Sequence, residues 1–220
     1  SFLFSVIPLF LLMGFFAMRA GLGEDLFEAT TKWLGNLRGG LAISTTLGAA
    51  AFGAASGSSV GTATVFTKLA LPQMLDRGYD KSLASASIAI AGTLAVMIPP
   101  SALVVVYGIL TDSSIGALLI AGFIPGVVFA IVLCVAIWLT VWRRPELAPR
   151  ESYNFTLREK FASLKLAGPL VLIILLIVVG LYAGIFTPTE AGGIGAFATF
   201  TLAIIRHRGI GGVELRKTLL

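Results

Sequence analysis

The sequence predicts an all-α integral membrane protein of several spans, with one broken span and one segment folded back as a helical hairpin. Three observations carry this. Of 220 residues, 57% are hydrophobic and only 12% charged, against about 25% charged in soluble domains, and the mean hydropathy is +0.96. Residues 1–18, 39–67, 82–111, 113–142 and 166–205 are nearly free of charge, and each reaches the roughly 17–25 apolar residues that cross a hydrocarbon core. These runs are continuous rather than alternating, which favours helices over a barrel whose strands alternate over about 10 residues.

Taken in order, residues 1–18 read as a span. Residues 20–38, with Leu26, Trp33, Leu34 and Leu37 at helical spacing, read as an amphipathic helix at the interface. Residues 39–67 read as a re-entrant hairpin, 82–111 as a broken span, 113–142 as a span and 166–205 as two spans joined at the turn TPTE (187–190). Between them, 143–165 carries Arg143, Arg144, Arg150, Arg158, Lys160 and Lys165 against three acids, so the positive-inside rule makes it cytoplasmic. The basic run at 206–217 and the segment QMLDRGYDK (73–81) fall on the same side. The net charge of +5 therefore reports loop asymmetry, not affinity for nucleic acid. The single cysteine, Cys134, excludes an internal disulfide. The opening SFLFSVIPLFLL lacks the basic flank of a signal peptide and reads as part of a longer protein.

The hairpin and the broken span are inferred from backbone chemistry. In AFGAASGSSVGTATVF (51–66), Gly53, Gly57 and Gly61 recur every fourth residue, a spacing that lets transmembrane helices approach closely. Ser56, Gly57, Ser58 and Ser59 are modest helix formers, and serine side chains compete for backbone partners. A break at that point divides the run into two arms of about 14 residues, each roughly 20 Å long, past the midplane of a ~30 Å core but not across it. In AGTLAVMIPPSALVVVYG (91–108), Pro99 and Pro100 remove two consecutive amide donors ahead of Ser101. Gly92 and Thr93 add flexibility and a hydroxyl on the near side. Irregular backbone persists at membrane depth only where it lines a cavity or is packed in protein. Hydroxyls and unwound carbonyls at such breaks suit a small hard cation.

Competing chemistry is weak. GSSVG (57–61) matches a nucleophile elbow at Ser59, but the only histidine, His207, lies at the far end of the last span. No cluster of cysteine, histidine and carboxylate has metal-ligand spacing, and no phosphate-binding loop is present. A hydrolase, a transition-metal site and an ATP-driven pump within these residues are set aside, and no enzyme is expected.

The segments IPLFLLMGFFAMRAGL, GGLAISTTLGAAAFGAASGSSVGTATV, LPQMLDRGYDKSLASASIAIAGTLAVMIPPSALVVVYG, AGFIPGVV and GIFTPTEAGGIGAF resemble the large membrane subunit of TRAP transporters, the tripartite ATP-independent periplasmic carriers of organic acids. The resemblance implies an elevator-type secondary transporter in the bacterial inner membrane, with sodium as coupling ion and no other cofactor. It also implies a periplasmic substrate-binding protein and a small membrane subunit as partners. By the same resemblance, Ser56, Gly57, Ser58, Ser59 and Thr62 at the hairpin tip, with Gly92, Thr93, Pro99, Pro100 and Ser101 at the broken helix, form one ion site and one side of the substrate cavity. The family's second, inverted repeat, with its own hairpin, is not among these 220 residues, so about half the transport site is expected outside them. TPTEA (187–191) is a family signature that is readable either as a turn or as a ligand. Another organic-anion carrier, a channel and a non-transporting structural subunit are the competing readings.

Overall fold

A computed structural model describes residues 5–149 and 153–206. His207 and the basic run beyond Arg206 lie outside the described residues, as does Arg150. Nine α-helices make up the described residues, with a short 3-10 turn at Pro145–Leu147: α1 (Val6–Arg19), α2 (Leu22–Leu34), α3 (Gly40–Ser56), α4 (Ser59–Asp76), α5 (Lys81–Met97), α6 (Ala102–Leu110), α7 (Ile115–Arg143), α8 (Leu157–Tyr182) and α9 (Pro188–Arg206). Three of these, α7, α8 and α9, are each long and apolar enough to cross a membrane. Two bent pairs, α1 with α2 (65°) and α5 with α6 (47°), pass the same test together, which allows up to five crossings.

Helices α3 and α4 form an antiparallel hairpin. Its open end is tied where the Leu41 amide donates to the Tyr79 hydroxyl at 3.2 Å. Further in, Thr45 Oγ1 lies 3.9 Å from Met74 Sδ, and the rings of Phe52 and Phe66 pack 6.2 Å apart. The closed end is a two-residue turn made of Gly57 and Ser58. The arms are 17 and 18 residues long, about 26 and 27 Å at 1.5 Å per residue. They are longer than the two arms of about 14 residues that the sequence suggests, because the turn falls past the middle of 39–67, which lengthens α3, and α4 continues through Gln73 to Asp76 instead of ending at 67. The polar stretch expected as loop is therefore partly the last turn of a helix. Likewise α8 begins at Leu157, inside the expected loop 143–165, behind a capping box in which Thr156 and Glu159 satisfy each other's backbone amides.

The core is built on this hairpin. Leu22, Leu26 and Phe27 of α2 join Phe52 of α3, Phe66 and Met74 of α4 and Ile88 of α5 in one buried cluster. Thr30 Oγ1 donates to the Ser44 carbonyl (2.9 Å) while Ser44 Oγ donates to the Thr30 carbonyl (3.0 Å), locking α2 to α3. Only Leu26 of the four residues expected on the apolar face of α2 is buried; Trp33 and Leu37 are 41% and 46% exposed. The helix stops at Leu34, which leaves Leu37 in the following loop. Trp33 turns outward, with its indole donating to the Lys160 carbonyl at 3.2 Å.

The charged loops gather at one end of the bundle. Arg77 sits 4.7 Å from the Tyr153 ring, Asn36 exchanges two hydrogen bonds with the Tyr153 backbone (3.1 and 2.8 Å), and the Asp80 amide donates to the Leu147 carbonyl at 2.9 Å. Arg206 at the end of α9 pairs with Asp25 of α2. The loop at Asp112 and the turn at Thr187 lie at the other ends of α6, α7, α8 and α9. Both arms of the α3–α4 hairpin thus open toward the basic end.

Candidate functional site

Four helix ends meet where the hairpin turn touches the break between α5 and α6. Gly57 ends α3 in a left-handed conformation, φ +58°, with its amide donating to the Gly53 carbonyl at 2.8 Å. Ser58 then caps α4, its hydroxyl accepting from the Gly61 amide at 3.1 Å. On the other side, α5 ends at Met97, and Ile98, Pro99 and Pro100 run extended or bent and buried to Ser101. The Pro99–Pro100 bond is cis. Ser101 caps α6 by accepting from the Val104 amide at 3.5 Å. The two units are joined directly, since the Ala102 amide donates to the Gly57 carbonyl at 3.3 Å.

This arrangement has an electrostatic consequence. The C-termini of α3 and α5 bring carbonyl oxygens and partial negative charge to the junction, while the N-termini of α4 and α6 bring amides and partial positive charge. One small region can therefore offer neutral oxygen ligands to a cation and oriented amides to an anion, as broken helices in transporters do.

Side-chain hydroxyls complete the junction. Ser56 Oγ lies 2.8 Å from Thr62 Oγ1 across the turn, and both residues are buried. Ser56 Oγ also sits 3.4 Å from the Ser58 carbonyl. Ser101 is fully buried, and Ser58 and Ser59 are half-buried. Gly92 packs against the first turn of α4, where a methyl would stand 3.1 Å from Ala63 Cβ and 3.2 Å from the Ser59 carbonyl. Thr93 points elsewhere: it is exposed, and its hydroxyl donates to the Ile90 carbonyl at 2.6 Å. Of the ten expected site residues, the structure gathers Ser56, Gly57, Ser58, Ser59, Thr62, Pro99, Pro100 and Ser101 around one junction, with Gly92 serving as its packing surface. One helical step past Gly92 carries the Thr93 hydroxyl to the outer side of α5, so Thr93 is not part of the cluster.

Some residues at the junction are invisible to motif reading. A methyl at Gly14 of α1 would stand 2.5 Å from Ser56 Cα and 2.7 Å from the Ser56 carbonyl, so α1 is pressed against the end of α3. On α7, a methyl at Gly122 would stand 2.7 Å from the Met97 carbonyl, and one at Gly126 would be 3.4 Å from the Ile98 amide. The only sequence signal for these positions is a glycine within an otherwise bulky apolar helix. Among the described residues, no group of three histidine, cysteine or carboxylate side chains could hold a metal ion.

The TPTE motif lies away from this junction and is a helix start. Glu190 Oε2 accepts from the Thr187 amide (2.8 Å) and hydroxyl (2.9 Å), and the Glu190 amide donates to Thr187 Oγ1 (3.3 Å). That is a capping box with proline at the first helical position of α9.

Comparison with known proteins gives the arrangement its family. Over 216 residues the chain is 37% identical to the C4-dicarboxylate TRAP transporter large permease protein DctM of Pseudomonas aeruginosa, covering 97% of this chain and 49% of that protein. It is 31% identical over 205 residues to the ectoine TRAP transporter large permease protein TeaC of Halomonas elongata, covering 93% of this chain and 47% of TeaC. It is 30% identical over 221 residues to the sialic acid TRAP transporter large permease protein SiaM of Vibrio cholerae, covering 99% and 51%. The chain thus spans about half the length of the curated relatives it matches. These relatives are named as transporter permeases, not as enzymes. Residues 1–220 match the profile of the tripartite ATP-independent periplasmic transporter DctM component, and the chain belongs to that family.

Proposed function

We propose that this chain forms one half of the transport site of a large permease subunit that imports a carboxylate-containing organic acid across the bacterial inner membrane, driven by sodium. In this reading the basic end of the bundle is cytoplasmic. The partners are a periplasmic substrate-binding protein and a small membrane subunit.

The observation that carries the proposal is the direct bond between the hairpin turn and the helix break, Ala102 amide to Gly57 carbonyl. It makes the turn and the break one unit. Sodium binds among the carbonyl ends of α3 and α5 with the Ser56 and Thr62 hydroxyls, which release their mutual hydrogen bond to face the ion. The bound charge holds the turn against the break and orients the amides at the starts of α4 and α6 toward the substrate carboxylate. The hairpin with α5 and α6 then moves as a rigid body, carrying ion and substrate together. Relatives named for a C4-dicarboxylate, ectoine and sialic acid support a substrate with a carboxylate and leave its remaining chemistry to the other parts of the transporter.

Uptake by the reconstituted, complete transporter tests this. Ser56→Ala and Thr62→Val should each raise the half-saturating sodium concentration about tenfold, the equivalent of about 1.4 kcal/mol. Ser58→Ala and Ser101→Ala should weaken sodium dependence through the loss of the caps. Unchanged sodium affinity in all four variants would remove the junction as the ion site.

A further inference from the structure

A groove separate from the hairpin junction opens between α5 and α7 at the basic end of the bundle. Its volume is about 470 Å³, within the range of about 300–1,000 Å³ typical of small-molecule sites. Leu83, Ala86 and Ile90 of α5 face Leu133, Ala136 and Ile137 of α7 along its walls. We propose that this groove holds one acyl chain of a phospholipid whose zwitterionic, amine-bearing headgroup sits between Arg144 and Asp80 at the mouth.

Length supports a lipid chain. The lining runs from Asp80 to Ile90 along α5 and from Arg144 back to Leu133 along α7, ten and eleven helical steps, or about 15 and 16 Å at 1.5 Å per step. That is half of a ~30 Å hydrocarbon core, the depth of a single leaflet. The level in the membrane also fits. Trp138 and Trp142 stack 6.3 Å apart on α7 beside Arg143 and Arg144, the aromatic and basic signature of a membrane interface.

A small polar solute is a poor match because three of the four hydroxyls that line the groove are already engaged. Thr46, Ser87 and Thr140 each donate to a carbonyl of their own helix, at 3.0, 2.9 and 2.7 Å. The charge available is at the mouth. Arg144 makes no ion pair among the described residues and can take a phosphate bidentately. Asp80 is held in place by accepting from the Ser82 and Leu83 amides at 2.8 and 3.2 Å, which aims a fixed negative charge at an ammonium group. A headgroup carrying both signs satisfies both residues, and an anionic one does not.

Native mass spectrometry of the purified, delipidated protein titrated with dioleoylphosphatidylethanolamine or dioleoylphosphatidylglycerol tests the proposal. The expected result is one tightly bound phosphatidylethanolamine, preferred over phosphatidylglycerol. Ala136→Trp and Ala86→Phe, which fill the groove from opposite walls, should each lower the bound fraction at least fivefold, as should Arg144→Gln. Asp80→Asn keeps a capping oxygen and should erase the headgroup preference. Leu172→Trp on the exposed face of α8 should change nothing. Retention in both groove-filling variants, an equal loss with Leu172→Trp, or no headgroup preference in the unaltered protein would overturn the proposal. Displacement of the lipid by millimolar succinate would also overturn it, and would reassign the groove to a carboxylate solute.

Discussion

At Gly57 the backbone sits at φ +58°, and a methyl group there would stand 3.1 Å from the Pro100 carbonyl and 3.3 Å from the Ala102 amide. Two demands meet at one residue: a left-handed turn, and contact with the opposing break. Gly57→Ala should cost about 1–2 kcal/mol from the left-handed conformation alone, visible as a lower unfolding temperature in detergent. Gly116→Ala is the control, since nothing lies within 4 Å of its methyl position, and it should leave the unfolding temperature equal or higher. The hydroxyls nearby divide into two kinds. Ser58 and Ser101 cap the helices that start at the junction, whereas Ser56 and Thr62 bond each other across the turn. Variants of the first pair should disturb helix starts as well as ion binding, and those of the second should leave the helix caps in place while removing a buried hydrogen bond and weakening ion binding.

Helix starts in this protein repeat one device. Thr156 with Glu159 opens α8 and Thr187 with Glu190 opens α9, each as a reciprocal capping box. The S/T-x-x-E spacing of a capping box is legible in TPTE itself, but the motif's position at an outer turn also leaves room for a ligand. Thr187→Ala should lower stability by about 1 kcal/mol without altering the sodium dependence of uptake, while Thr187→Ser should behave as the parent. A change in sodium affinity with Thr187→Ala would give the motif more than a capping role. The bend between α1 and α2 is braced differently. Arg206 pairs with Asp25 and donates to the Ala20 carbonyl at 3.3 Å and the Leu166 carbonyl at 3.2 Å, joining α9, α8 and the bend itself. Arg206→Gln should cost about 1.5–3 kcal/mol, the range for hydrogen bonds to charged groups, measured as thermal stability in detergent.

Across the whole molecule, buried and exposed apolar surfaces do different work. One core cluster packs α2, α3, α4 and α5 together and also takes in Ala17 of α1, Val141 of α7, Leu170 of α8 and Ala203 of α9, while a second cluster joins α1, α6, α7, α8 and α9. Much of α7 faces outward: only 17% of its most apolar window is buried, although that window has a mean hydropathy of 2.8. Ile124, Val128, Ile131 and Val132 are all more than half exposed. In water such a face would be an aggregation site, whereas in a bilayer its composition suits contact with lipid. Val128→Arg should raise the apparent free energy of insertion of this segment by about 3 kcal/mol in a translocon insertion assay. A negligible shift would mean that the face meets protein or water instead of lipid.

The amino-acid sequence by itself determined that the protein is helical and membrane-embedded, and where its backbone breaks. Both are local properties: uninterrupted hydropathy specifies a span, and GSS and IPP disfavour helix wherever they occur. It placed the ends of the hairpin less well, because residues 73–76 open a charged stretch yet form the last turn of α4, where packing and the Tyr79–Leu41 bond outweigh composition. Only the tertiary structure decided that the two breaks touch. It also decided that Gly14 and Gly122 press neighbouring helices onto them, that Thr93 faces away, and that Arg206 meets Asp25 across 181 positions of chain. Those outcomes depend on which faces of separate helices are brought together. Residue type and spacing within one helix can mark a face suited to close packing, as at Gly53 and Gly57, but not which helix will pack there.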